Sequence, residues 1–280
     1  MILGRLFSRQ WWKTTIFVLA AMAVMVRLGI WQLDRLEQRR TFNSRVEAQL
    51  AESPLDLSGQ NLDRDLYGME YRTAFVSGEY DFEHQVVLRN QDWQGRLGVH
   101  ILTPMLIADE EAAVLVVRGW VPYEDFTAGN LSQYDDPGLV ELNGIIRRSQ
   151  SKPVIGGRAD QVPGPGGAPL EAWNWTNISD ISRQLPYQLI PVYLAAVPNT
   201  GAQDLPYRSE LELDISEGSH LGYAFQWFIF AGIFGIGYPL FVRREEHRQA
   251  ANNHQVKPYV QTESHSDSNS EPESKGYEQV

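Results

Sequence analysis

His220 stands at the head of an uncharged run, Leu221 to Val242, and on a helix it shares a face with Tyr223 or Ala224, Trp227 and Ala231. An imidazole so placed can ligate a metal or carry a proton. The aromatic and small-residue stripe beneath it can receive a flat apolar ligand or a partner helix. The same residues also read as interfacial anchors, because amphipathic aromatics gather at headgroup depth. Spacing alone leaves both readings open. The other distinctive stretch is Val116-Val117-Arg118-Gly119-Trp120-Val121-Pro122. It reads as a strand that delivers Arg118 and Trp120 to one face, with proline ending the pairing. Arg118 there is either a structural strand-end arginine or a bidentate partner for a carboxylate or propionate.

Much other chemistry is excluded. The chain has no cysteine, which removes disulfides, thiolate nucleophiles, iron–sulfur clusters and C-x-x-C-H haem attachment. Any transition metal or haem iron must then be held by His, Met, Tyr or carboxylates. There is no H-E-x-x-H, G-x-S-x-G, phosphate loop or dinucleotide glycine fingerprint. The Gly/Pro-rich stretch from Pro153 to Pro169 reads as a flexible loop. Asp109-Glu110-Glu111 and Glu124-Asp125 read as solvated loop charges, and His84 and His100 as isolated surface or core histidines. Asn130-Leu131-Ser132 and Asn174-Trp175-Thr176 match the glycosylation sequon, a short pattern of low specificity. A non-catalytic protein is expected.

The elements that must position these groups begin with two apolar segments. Leu221 to Val242 is long enough to cross a hydrocarbon core of about 30 Å as a helix. Thr14 to Leu33 is the other candidate span, preceded by Arg5, Arg9 and Lys13 and interrupted by Arg27. No small-x-small cleavage site follows it, so an uncleaved anchor is expected rather than a signal peptide. Arg27 is expected to snorkel to an interface or to face a polar partner. Arg243, Arg244 and Arg248 after the second span place both termini in the cytoplasm by the positive-inside rule. The first span is ambiguous, because Arg35, Arg39 and Arg40 oppose Arg5, Arg9 and Lys13. The expected layout is a cytoplasmic N-terminus over 1–13, spans over 14–33 and 221–242, an extramembrane domain over 41–218, and a disordered cytoplasmic tail over 243–280. Without an Arg/Ser-rich transit segment, a bacterial inner membrane fits better than a mitochondrion.

The net charge of −11 is unevenly spread. Residues 41–218 carry twelve Lys/Arg against twenty-six Asp/Glu, so nucleic acid is excluded as a partner and membrane lipid is the expected surroundings of the spans. After a helix continuing to about Leu50, strands are expected at Tyr71–Tyr80, Gln85–Asn90, Val99–Thr103, Ala113–Val121, Val140–Arg147 and Ile190–Ala195, with Leu211–Leu213 weaker. Ile178 to Leu185 reads as a short helix ended before Pro186. Connections too short for repeated crossovers imply a largely antiparallel sheet. The fold class is therefore a membrane protein with two transmembrane helices flanking a largely antiparallel α+β extramembrane domain.

Several motifs in order resemble one family. Leu28-Gly29-Ile30-Trp31-Gln32-Leu33-Asp34-Arg35, Tyr71-Arg72 with Gly78-Glu79-Tyr80, Thr103-Pro104, Arg118-Gly119-Trp120-Val121-Pro122, and His220-Leu221-Gly222-Tyr223-Ala224-Phe225-Gln226-Trp227-Phe228 are similar to those of the Surfeit-locus (Shy-type) family of cytochrome c oxidase assembly proteins. The resemblance implies two spans around a periplasmic or intermembrane-space domain. It also implies a part in supplying or inserting haem a into the catalytic subunit of a haem–copper oxidase. Haem A synthesis machinery is then a second partner. His220 occupies the position of a histidine proposed to ligate haem a in bacterial members. Trp31, Arg118 and Trp120 fall on motif positions, Tyr223 and Trp227 could face the macrocycle, and Arg118 or Arg35 could pair with propionates. Gly218-Ser219 before the histidine and the long polar tail depart from the family pattern. A scaffold that holds an oxidase intermediate through helix contacts, with His220 only an anchor, is the alternative; Ala231-x-x-x-Gly235 suits close helix packing in either case.

Overall fold

The computed structural model describes residues 4, 6–150, 160–162, 167–198, 204–210 and 213–255. Its helices are α1 (Trp12–Ala51), α2 (Tyr123–Thr127), α3 (Ile178–Ser182) and α4 (His220–Gln255). The strands are β1 (Leu55–Asp56), β2 (Thr73–Tyr80), β3 (Val86–Trp93), β4 (Arg96–Ile107), β5 (Ala112–Pro122), β6 (Leu139–Arg148), β7 (Ala172–Trp173) and β8 (Gln188–Ala196). Two compact units form, one from Met1–Arg35 with Ser219–Val280 and one from Leu36–Gly218.

In the first unit α1 and α4 are both long and apolar enough to cross a membrane. They pack antiparallel, as successive contacts show. Trp11 meets Phe241 edge to face at 5.9 Å, Thr15 Oγ1 lies 2.8 Å from the Tyr238 hydroxyl, and Gln32 reaches His220. Gly29 permits the approach: a Cβ there would lie 2.6 Å from the Phe228 ring. Ala224 and Ala231 are buried on the same seam. Small residues are what let membrane helices close on one another, where water supplies no hydrophobic drive. Arg27 is exposed on α1.

Helix α4 does not stop at the expected Val242. It continues to Gln255, through residues read as the start of a disordered tail. Arg243 to Ala251 is polar but made of good helix formers, with Glu245 and Arg248 one turn apart as a 4.0 Å ion pair. Residues 256–280, the rest of the expected tail, lie outside the described residues, as does most of the Pro153–Pro169 loop. The weak strand at Leu211–Leu213 falls largely outside them too.

The second unit is a β-barrel with extensions. The sheet runs β1-β2-β6-β8-β5-β4-β3-β7, and β2 also pairs with β4. The ring β2-β6-β8-β5-β4 therefore closes on itself through the Gly78–Tyr80 end of β2, while β1 covers the edge left at Ala74 and Phe75. Five of the pairings are antiparallel and three parallel (β1–β2, β3–β7 and β5–β8). The sheet is thus largely antiparallel, and the expected membrane protein with an α+β domain is the architecture found. Val76, Met105, Val114, Val116, Leu142, Ile146, Val192 and Leu194 fill the interior, each buried. Alternation along β2 and β6 puts Val76, Leu142 and Ile146 on the inner face and Ser77, Glu79, Glu141 and Asn143 on the other, and along β8 it turns Val192 and Leu194 inward.

The segment that leads into His220 is tied to the start of this unit. Arg39 pairs with Asp214 at 2.9 Å and also donates to its carbonyl. Arg40 holds Glu217 with two hydrogen bonds of 2.8 and 2.9 Å, and that contact keeps the Glu217 carboxyl below its ordinary range. Asn43 donates to the Ile215 carbonyl at 2.5 Å. Arg39 and Arg40, which helped make the first span ambiguous, are therefore ion-paired.

His100 on β4 faces Trp120 across β5 and Leu88 across β3. Burial pushes its imidazole down to about 4. The native ring then stays neutral while the unfolded chain binds a proton near its ordinary value of about 6.5. Between those values the unfolded state holds more protons, so stability falls as pH falls. The expected loss from pH 7 to 4 is up to ~3 kcal/mol from this residue. Denaturant titrations of the purified chain at several pH values check it, and His100→Gln should flatten the slope in that window.

Candidate functional site

The site begins at the first turn of α4. His220 is half-buried, and its Nδ1 lies 2.8 Å from Oε1 of Gln32 on α1. A side-chain amide oxygen can only accept, so the ring donates through Nδ1. In the neutral ring Nε2 then carries the lone pair, and among the described residues it has no hydrogen-bond partner. The stripe below His220 divides. Ala224 and Ala231 are covered by α1, whereas Tyr223 is half exposed and Trp227 half-buried against Phe230. The partner helix that the stripe could receive is thus the chain's own first span, and apolar surface remains at Tyr223 and Phe225. Trp31 is also exposed, with the Arg35 guanidinium 5.9 Å from its ring.

These residues fit a haem. An imidazole with one nitrogen anchored and the other bare is the arrangement an iron ligand requires. Exposed aromatics beside it suit a flat apolar ring. No cluster of three or more His, Cys, Asp or Glu suited to a metal ion occurs among the described residues.

Arg118 and Trp120 belong to the second unit and are only 2% and 1% exposed. Gly119 pairs with Ile101 while Val117 pairs with Leu102, so Arg118 is the extra residue of a β-bulge. Its guanidinium lies 4.7 Å from the Tyr80 ring and 5.3 Å from Phe82, and it donates to the Tyr134 carbonyl and to Gln85. Burial lowers its pKa, an effect that Tyr80, Asp135 and Asp136 oppose. Trp120 instead packs on Trp93 at 5.3 Å and donates to the Gln91 carbonyl. The two side chains thus end in separate surroundings, since the bulge breaks the two-residue alternation. A cavity of about 310 Å³ adjoins Arg118, lined with both signs of charge by Asp135, Asp136, Asp204 and Arg208.

His84, expected as an isolated histidine, is part of a local network. Asp81 Oδ2 accepts from His84 Nδ1 at 2.7 Å and from the Tyr187 hydroxyl at 2.5 Å. Burial alone would raise Asp81, but those two hydrogen bonds outweigh it and hold the carboxyl below its ordinary range. Burial and the same contact push Tyr187 up. His84 also lines a cavity of about 290 Å³ with Phe126, Leu131, Leu170 and Leu185.

Sequence reasoning missed Gln32 as a functional residue, although it lies in a quoted motif. A signal was present: Gln32 is an uncharged hydrogen-bonding side chain at the end of the first expected span, the boundary depth at which His220 opens the second.

A hairpin of two apolar helices, a barrel domain and a histidine at the start of the second helix define a membrane protein with an α+β extramembrane domain. Comparison with known proteins gives the family. The SURF1 family profile matches residues 19–232, so the chain belongs to the SURF1 family, the oxidase assembly factors whose motifs it resembles. A SURF1-like protein of Caenorhabditis briggsae is 23% identical over 242 residues, spanning 78% of this chain and 72% of the relative. One from Rickettsia bellii is 23% identical over 249 residues, with 88% and 97% covered. Surfeit locus protein 1 of Mus musculus is 27% identical over 154 residues, half of each chain.

Proposed function

We propose that this chain is a non-catalytic assembly factor that binds haem a through His220 Nε2 and assists its insertion into the catalytic subunit of a cytochrome c oxidase. The supporting observation is the state of that ring: Nδ1 is held by Gln32, and Nε2 is bare beside exposed aromatic surface. The bound group would supply the iron centre, while the chain supplies one axial nitrogen and apolar support from Tyr223, Trp227 and Trp31. A single ligand at an accessible helix start favours transfer over permanent storage. Arg118 and Trp120 support the domain from within.

The chain sits in a bacterial inner membrane with both termini cytoplasmic and the barrel domain periplasmic. Arg243, Arg244 and Arg248 follow the second span. Arg39 and Arg40, on the other side, are tied to Asp214 and Glu217, which removes their weight from the count. The oxidase catalytic subunit and the haem A synthesis machinery are the partners in this reading.

The scaffold reading draws on the close seam at Gly29, Phe228, Ala224 and Ala231. Optical spectra of protein purified from cells that make haem A separate the two. A haem a band in the wild type that His220→Ala abolishes, together with loss of oxidase activity in cells, is the expected result. Haem-free wild-type protein and full oxidase activity in the variant leave only the scaffold.

A further inference from the structure

We propose that Gln32 is the positioning residue of the haem site, fixing the tautomer and plane of the His220 imidazole; this rests on the haem-binding reading above. Three observations carry it. First, the contact is directional: Gln32 Oε1 can only accept, so a proton must sit on Nδ1, and in the neutral ring the lone pair is then on Nε2. Second, the reach is short, and the backbone makes it so. Gly29, one turn before Gln32, lies under the Phe228 ring with no room for a Cβ, which brings α1 and α4 close where the amide must span the gap. Third, the bond joins residues 188 apart in sequence at the head of α4, partly buried beside an apolar run where a hydrogen bond is worth more than in water.

Without that acceptor, nothing among the described residues holds the Nδ1 proton, and the proton can move to Nε2. A ring protonated on Nε2 cannot ligate through it. The ring would also turn about its side-chain torsions, which a single hydrogen bond now prevents. Ligands oriented in this way lose about 10–100-fold in metal affinity when the orienting group is removed. Glutamate should substitute for glutamine, because a carboxylate oxygen accepts from the same atom. Leucine keeps the bulk and removes the acceptor.

The test uses the full chain in detergent, with wild type, Gln32→Leu, Gln32→Glu and His220→Ala compared. Nitrogen NMR of the His220 ring in haem-free protein reports the tautomer directly. Titration with haem a reports affinity, and helix content by circular dichroism confirms that each variant folds. The expected result is a ring protonated on Nδ1 in wild type and Gln32→Glu, but shifted towards the Nε2-protonated form in Gln32→Leu. Haem a affinity should fall about 10–100-fold in Gln32→Leu and recover in Gln32→Glu. An unchanged ring in Gln32→Leu, or unchanged affinity there while His220→Ala abolishes binding, overturns the role of Gln32 and leaves the haem reading standing. Haem binding that survives His220→Ala overturns both.

Discussion

Arg118→Ala is expected to destabilise the barrel domain by about 3 kcal/mol, with little change in the helical hairpin. The side chain is 2% exposed and lies on the rings of Tyr80 and Phe82, so truncation leaves a cavity beside two aromatics. It also strips the donor from the Tyr134 carbonyl and from Gln85 Oε1. A buried acceptor left unmade costs about 1–3 kcal/mol. Gln85 has a second partner in Thr103, at 2.7 Å, and so retains one bond. Arg118→Met restores most of the volume and should recover about half of the loss, because a buried cation carries a desolvation penalty that a thioether avoids. Lysine should recover less, since an ammonium cannot lie flat on Tyr80 as a guanidinium does. Denaturant unfolding followed by near-UV circular dichroism checks the order wild type, methionine, lysine, alanine. Equal stability of wild type and alanine variant would show that these contacts contribute nothing net.

That prediction depends on a feature the residues did not disclose. The spacing Arg118-x-Trp120 reads as two side chains on one face, and the bulge opposite Ile101 and Leu102 breaks the reading. Strand runs rich in Val, Ile and Tyr were legible because their alternation is local: all six expected strands appear, four of them extended at both ends, while β2 starts two residues later than expected and β3 runs from Val86 to Trp93 rather than from Gln85 to Asn90. The expected Val99–Thr103 lies inside β4, which runs from Arg96 through Pro104 to Ile107. The strand leaves β3 after Leu102 and joins β2 from Met105, so the proline's missing N–H falls where the partner changes. β1 and β7 are two residues each and exist only because β2 and β3 offer an edge. Barrel closure and the parallel β5–β8 pair are likewise decisions of tertiary structure. In the candidate site, His220 was legible from its place at the end of a charged segment and from the resemblance. Gln32 was not, because its meaning comes from a partner in a distant helix.

Gly119→Ala should have the larger effect on the same strand, about 3 kcal/mol or more, and should release the segment around Tyr207. Gly119 has φ +144, a region essentially closed to residues with a Cβ. A Cβ built there meets the carbonyl oxygens of Pro206 and Tyr207, each at 2.8 Å, and both are backbone atoms that cannot swing aside. The crowding exists because residue 207 docks as a bridge on the next residue. Trp120 N donates to the Tyr207 carbonyl at 2.8 Å, and Tyr207 N donates back at 2.7 Å. Tyr207 then stacks on Trp93 at 4.3 Å, which in turn packs on Trp120. To accept a methyl group, the bridge must open or the bulge must unwind, and the second route would withdraw Arg118 from Tyr80. Hydrogen exchange distinguishes the routes. Faster exchange confined to the Trp120 and Tyr207 amides marks an opened bridge; faster exchange spreading to the Leu102 and Val117 amides marks loss of the bulge. Wild-type exchange at all four positions, with unchanged stability, would mean that the strand can absorb a side chain where the geometry leaves it no room.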